Sequence, residues 1–383
     1  MCFPRSFTHR IFVGVLLFSF LVAGCDLLEN GDSAKPGNPE EVIFQRADVE
    51  TQDRNRFHLI HFLSKQNIVA ATNLYQWNDG GDLWLSSNGG INFEISRGYV
   101  SPLRGNFSFV NQQNGYVAGW RSGFGVSMFI GKTTDGGQTW DNLLDTDLSN
   151  LRDLIPVNID PRNIAAIGNH VCFVTGGLEG PGRIFGSDQA GLGASWMVEV
   201  SNIDFYTWTL DAIDGRFYIA SHSEFMFSQP GGEWQKLDAP WDDAGGLELT
   251  SMVFASQSRG WALVEDTNAA DNRLTLYFTD NGGESWQVQE SSAKTERQTA
   301  FPRLGQLLYF DHMLFGLSRM IVDDGPDRIY IVISADNGKT WIRNDWTEHG
   351  SGSIGLVNAD GELRVYQIIS SQYDMGYYGV YKP

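Results

Sequence analysis

SADNGKTW, Ser334 to Trp341, reads as a tight turn between two strands. The Asp336 carboxylate can accept backbone N–H groups inside the turn, Gly338 supplies a positive φ, and Trp341 opens the outgoing strand with a large ring to bury. The octet recurs. It returns cleanly as TTDGGQTW (Thr133, Asp135, Gly137, Thr139, Trp140) and TDNGGESW (Thr279, Asn281, Gly283, Ser285, Trp286). Weaker copies are SSNGGINF (Ser86 to Phe93), SDQAGLGASW (Ser187 to Trp196) and SQPGGEW (Ser228 to Trp234).

A second repeat precedes the turns. FVNQQNGYVAGW from Phe109 matches FASQSRGWALVE from Phe254, and FLSKQNIVAATN from Phe62 is a weaker copy. Strand-like runs separated by Gly, Asn and Asp turns fill the chain from Ile43 onward, with no amphipathic helical period. One unit is therefore strand, turn, strand, loop, strand, boxed turn, strand, which is a four-stranded propeller blade. The aromatic ends of the octets, Phe93, Trp140, Trp196, Trp234, Trp286 and Trp341, lie on average about 50 residues apart, within the blade range. The fold expected is all-β, a single β-propeller over residues 43–383 with seven blades; six and eight are the other counts the spacing allows. The last unit ends before a boxed turn, so residues 43–47 are expected to supply its outer strand and close the ring.

The octet resembles the Asp-box, or bacterial neuraminidase repeat, of sialidase-like propellers. That resemblance implies a structural staple built on Asp135, Gly137, Trp140, Asn281, Gly283, Trp286, Asp336, Gly338 and Trp341, placed away from the active face. The residues agree, because a Ca²⁺ loop needs several alternating oxygen ligands and each box offers at most one carboxylate at its key position. Phe109 with the following TTDGGQTW is also similar to the photosystem II assembly factor propellers and their bacterial relatives, which implies a non-catalytic assembly role. A sialidase activity is not implied. That family has an Arg-Ile-Pro-type motif, and Phe301-Pro302-Arg303-Leu304 does not reproduce it.

At the N-terminus, Arg5 and Arg10 precede an apolar run from Ile11 to Ala23, the plan of a secretory signal over residues 1–24. Leu21-Val22-Ala23-Gly24-Cys25 closely resembles the bacterial lipobox, which implies an acylated Cys25 holding the protein on a bilayer in the cell envelope. Asp26 resembles the signal that retains lipoproteins on the periplasmic face of the inner membrane. Residues 25–42 are polar, carry Gly31, Pro36, Gly37 and Pro39, and read as a tether. Losing Arg5 and Arg10 with the signal takes the formal charge from −19 to −21, which excludes nucleic acid as a natural partner. Of the three Cys, only Cys172 then remains inside the domain, in the apolar run VCFV, so no disulfide framework is available.

Chemistry is expected on the loops opposite the boxes, several of them acidic, including Glu265, Asp266, Asp323 and Asp324. PWDDAGG (Pro240 to Gly246) offers Trp241 beside Asp242 and Asp243, a ring and two carboxylates suited to a sugar or a basic side chain; packing of Trp241 between blades is the alternative. His170, His222, His312 and His349 are scattered, so no metal or other cofactor is expected. Two functions stand: a monomeric, non-enzymatic propeller that binds an envelope protein or glycan, and a glycoside hydrolase using acidic loops.

Overall fold

The computed structural model describes residues 57–381 apart from connecting segments, the longest being 73–81, 144–158, 290–302, 321–327 and 345–351. The described residues belong to the compact unit Pro36–Pro383. They form seven antiparallel sheets and no helix. Five sheets have four strands each, spanning residues 57–97, 159–203, 209–237, 247–288 and 303–344. The second sheet, residues 100–142, has five because Val100–Ser101 and Phe107–Phe109 both pair with Gly115–Arg121. The seventh, residues 352–381, has three. Apart from Val100–Ser101, which skips Phe107–Phe109, the strands of each sheet pair in chain order, so each sheet is an antiparallel meander.

From the third sheet to the seventh, successive sheets touch through their innermost strands, and the third meets the second through Ile159–Ile167 against Phe107–Phe109 and Gly115–Arg121. Phe57–Phe62 of the first sheet touches Gly352–Ala359 of the seventh, which completes the circuit. The protein is thus a β-propeller, as the repeat spacing predicts. The fourth strand expected for the seventh sheet falls on residues 43–47, outside the described residues.

Apolar side chains fill the gaps between sheets, because strand alternation sends one set of residues to each neighbour. From Gly115–Arg121, Val117 packs with Val69 and Leu83 of the first sheet, while Tyr116 and Ala118 pack with Ile164 and Phe173 of the third. The densest gap lies between the fourth and fifth sheets. There Tyr218 stacks on Phe254 at 4.1 Å, and Phe225 meets Trp286 edge-on at 5.7 Å.

The octets hold these sheets at their rim. In the box of the sixth sheet, Ser334 Oγ accepts the Gly338 N–H at 2.8 Å and donates to Asp336 Oδ1 at 2.8 Å. Asp336 in turn accepts the Thr340 N–H at 2.8 Å and the Thr340 hydroxyl at 2.6 Å. Thr133, Asp135, Gly137 and Thr139 repeat the arrangement in the second sheet. In the fifth, Asn281 Oδ1 accepts from Thr279 and Ser285 N–H, and its Nδ2 donates to Ser285 Oγ. The turn closes over two successive left-handed residues, Asn337 at φ 61° and Gly338 at φ 88°. Trp341 Nε1 then donates back to Gly338 O at 2.9 Å, as Trp140 Nε1 does to Gly137 O.

Partial burial raises the Asp336 carboxyl, and hydrogen bonds from the Thr340 hydroxyl, the Thr340 N–H and the Ser334 hydroxyl outweigh it, so the group titrates below 3.8. Its contribution is complete above that ordinary value and is lost as pH falls through the lower folded value. Asp336→Ala should cost about 1–3 kcal/mol in urea unfolding at neutral pH. Asp336→Asn should cost less, because Asn281 already serves that position, and it should remove part of the acid-side loss of stability. Equal stability of wild type and Asp336→Ala would contradict this role.

Candidate functional site

The boxes have little capacity for chemistry. Their hydroxyls at Ser86, Thr133, Ser187, Thr279 and Ser334 are each about 1% exposed, and each accepts the N–H of the glycine four residues on. Backbone bonds fix the same turns to the neighbouring hairpin of their own sheet: Gly89 N–H to Gln66 O, Gly136 N–H to Gln113 O, and Gly282 N–H to Ser258 O.

Of the two readings of Trp241, the structure takes the one that packs it between blades. Its ring is fully buried between the fourth and fifth sheets, edge-on to Trp286 at 5.5 Å and Phe225 at 6.3 Å, with Nε1 donating to Ser221 O at 2.9 Å. An indole enclosed in this way has no free face for a sugar or side chain; its bulk and its single donor are both used internally. Asp242 and Asp243 lie outside the described residues, as do Asp323 and Asp324. Asp266 is described: its Oδ1 caps a local turn by accepting the N–H groups of Asn268 and Ala269, and Thr267 ties that loop to Gly246 O. Cys25 lies outside the described residues too.

Two other features stand out. The first is a groove of about 680 Å³ between the first and second sheets, on the boxed-turn side. The hairpin residues Asn67, Gln112 and Gln113, with Ser87, Gln138 and Thr139 from the boxes, give it a lining of amides and hydroxyls. On the outer strand Ile95, 55% exposed, adds an apolar patch and the neighbouring Glu94 an exposed carboxylate. Asp135 also reaches this groove, but its carboxylate is held by Thr133 and Thr139.

The second feature lies between the third and fourth sheets. His170 and Cys172, two apart on His170–Gly177, share the face that packs against Phe217, Met226 and Trp234. Glu199, on the outer strand Met197–Ile203, points back across the sheet toward them. Gly186 on the intervening strand makes this possible, since a Cβ there would collide with the Glu199 carboxylate. Glu199 Oε1 lies 3.1 Å from His170 Nε2, while Oε2 accepts the Trp234 indole N–H at 2.6 Å and the Cys172 thiol at 3.5 Å. Burial raises the Glu199 carboxyl, yet the hydrogen bonds from His170 and Trp234 and the His170 charge bring it below its usual value. Burial first, then the Glu199 charge and hydrogen bond, push the Cys172 thiol well above its ordinary value.

The expectation that histidines are scattered thus fails for His170. The His-x-Cys spacing was visible in the chain as one strand face, but Glu199 and Trp234 come from other strands that only the packing brings near.

The fold class has counterparts among solved structures. YCF48 from Cyanidioschyzon merolae superposes with a TM-score of 0.54 at 15% identity, over 87% of this chain and 98% of that one. The polysaccharide lyase Uly1 superposes with a TM-score of 0.56 at 9% identity, over 89% of this chain and 100% of that one. At these identities the likeness establishes the propeller and nothing finer. No protein-family profile matches the chain, and no curated protein sequence matches it.

Trp241→Ala should therefore behave as a core truncation, destabilising by about 3–5 kcal/mol in chemical unfolding. A variant of unchanged stability would place the ring at the surface instead.

Proposed function

We propose that the protein is a lipid-anchored, non-catalytic propeller that binds an envelope protein or polymer, the role implied by its resemblance to assembly-factor propellers. The observation that carries this reading is the fate of the repeated polar residues. In the boxes, the carboxylate or amide, the hydroxyl and the glycine N–H bond one another, so the motif serves the fold and recognition falls to the surface between blades. The groove between the first and second sheets suits that task. Its amides and hydroxyls can both donate and accept hydrogen bonds, Ile95 offers apolar contact and Glu94 an exposed carboxylate, a combination fitted to a neutral or basic polymer or extended peptide.

Anchoring rests on the lipobox resemblance at Leu21 to Cys25: acyl chains on Cys25 insert in the bilayer, residues 26–42 act as the tether, and Asp26 retains the protein on the inner membrane. The strong negative charge keeps the monomer soluble and away from nucleic acid. Asp242 and Asp243 remain in the proposal as the pair of carboxylates that the sequence offers for binding, now without Trp241.

Cys25→Ser should move the protein from the membrane to the soluble fraction; retention after a high-salt wash would contradict the anchor. Binding to a panel of envelope polymers and peptides should fall at least tenfold in Ile95→Ser combined with Gln113→Ala, with the melting temperature unchanged. A loss confined to Asp242→Ala with Asp243→Ala would move the site to the other face. Glycan turnover abolished by one carboxylate substitution would replace this reading with the hydrolase.

A further inference from the structure

We propose that His170, Cys172 and Glu199 form a binding site for a single divalent transition ion of borderline softness, with zinc as the type case. Their ligating atoms lie within 4.8 Å of one another. Zinc bonds of about 2.0–2.3 Å place tetrahedral ligand atoms roughly 3.3–3.8 Å apart. The 3.1 Å from Nε2 to Oε1 is close to such an edge; Sγ lies 3.5 Å from the other oxygen, Oε2, so the carboxylate must turn and the thiol close in, from a span of 4.8 Å, for one oxygen to serve as the vertex. An imidazole, a thiolate and a carboxylate are each ordinary ligands of this ion, and three protein ligands leave the fourth vertex to water.

The repeat provides a control for the fold's own requirements. Counted from the residue opposite the box hydroxyl, the position of Cys172 is held by Tyr116, Tyr218 and Trp261 in the second, fourth and fifth sheets, which face the following sheet, by Phe315 in the sixth and by the smaller Val69 in the first. Tyr218 and Trp261 close that gap themselves, donating across it to Gln257 O and Asn337 O. In the third sheet a large plug is replaced by a thiol, and the space it leaves holds a carboxylate admitted by Gly186. Propeller packing requires none of these substitutions.

The surroundings are those of a metal site. Trp234 departs from Trp140 and Trp341, whose indoles bond their own turn, and fixes Glu199 Oε2 instead. This is the outer-shell donor that orients a ligating carboxylate. Binding releases the thiol proton and the proton on His170 Nε2 to solvent, while Nδ1 keeps its proton. The thiolate and carboxylate then balance the divalent ion, so the loaded site is neutral inside an apolar interface. Access is short, since Glu199 keeps 12% of its side chain exposed and Met197 beside it is 56% exposed.

Cobalt(II) added to the full-length protein in detergent should give a near-ultraviolet thiolate-to-cobalt charge-transfer band that saturates at a stoichiometric ratio and is displaced by zinc. Zinc should also raise the melting temperature. Cys172→Ser should abolish the band, Glu199→Gln should weaken cobalt affinity, and Trp234→Phe should weaken it about 10-fold or more while keeping the band. Absence of the band in folded wild-type protein at saturating cobalt would overturn the site and leave a hydrogen-bonded cluster only. So would a band that persists in Cys172→Ser. If Cys172→Ser does not fold, the wild-type spectrum and its displacement by zinc decide alone.

Discussion

A hydroxyl buried at the end of the strand before the outermost one governs this architecture. Ser86, Thr133, Ser187, Thr279 and Ser334 sit where water does not reach, and an unpaired hydroxyl there would carry a desolvation cost of about 1–3 kcal/mol. Each is satisfied by the amide of the glycine four residues on, and that bond requires a backbone held in the left-handed region. Once the turn is fixed, the outgoing strand starts in register and the following aromatic ring is delivered to the rim.

The same glycines set the distance between blades. A Cβ at Gly137 would press on Val69 of the preceding sheet, one at Gly283 on Phe225, and one at Gly338 on Leu276. The turn is therefore also a contact surface, and its lack of a side chain lets neighbouring sheets approach. Large rings between the sheets complete the packing, with Tyr218 and Trp261 each donating a hydrogen bond to the sheet that follows.

The division between what was legible in the chain and what was not follows from sequence distance. The octets are local, so Asp336, Gly338 and Trp341 could be assigned to a turn from their spacing alone, and their periodicity led to blades. Trp241 was ambiguous because a ring in a Pro- and Gly-flanked loop reads the same whether it faces solvent or a neighbouring sheet. The positions of Phe225 and Trp286 decide, and Trp286 belongs to the next sheet, whose approach the local sequence does not record. The groove beside Ile95 draws its walls from turns of two sheets, and the cluster around Glu199 needs Gly186 to be small on a strand between. A single glycine in a strand pattern signals close approach, but not by which partner.

The central claim is that the buried hydroxyl-to-glycine bond belongs to the cooperative core rather than to a surface turn. Native-state hydrogen exchange at the amides of Gly137, Gly283 and Gly338 tests it directly. If the bond holds the fold, these amides should exchange only through global unfolding, with the same protection free energy as Phe129 and Ile331 in the sheet interiors. Exchange of the glycine amides at the rate of local loop opening, with the strands still protected, would contradict it.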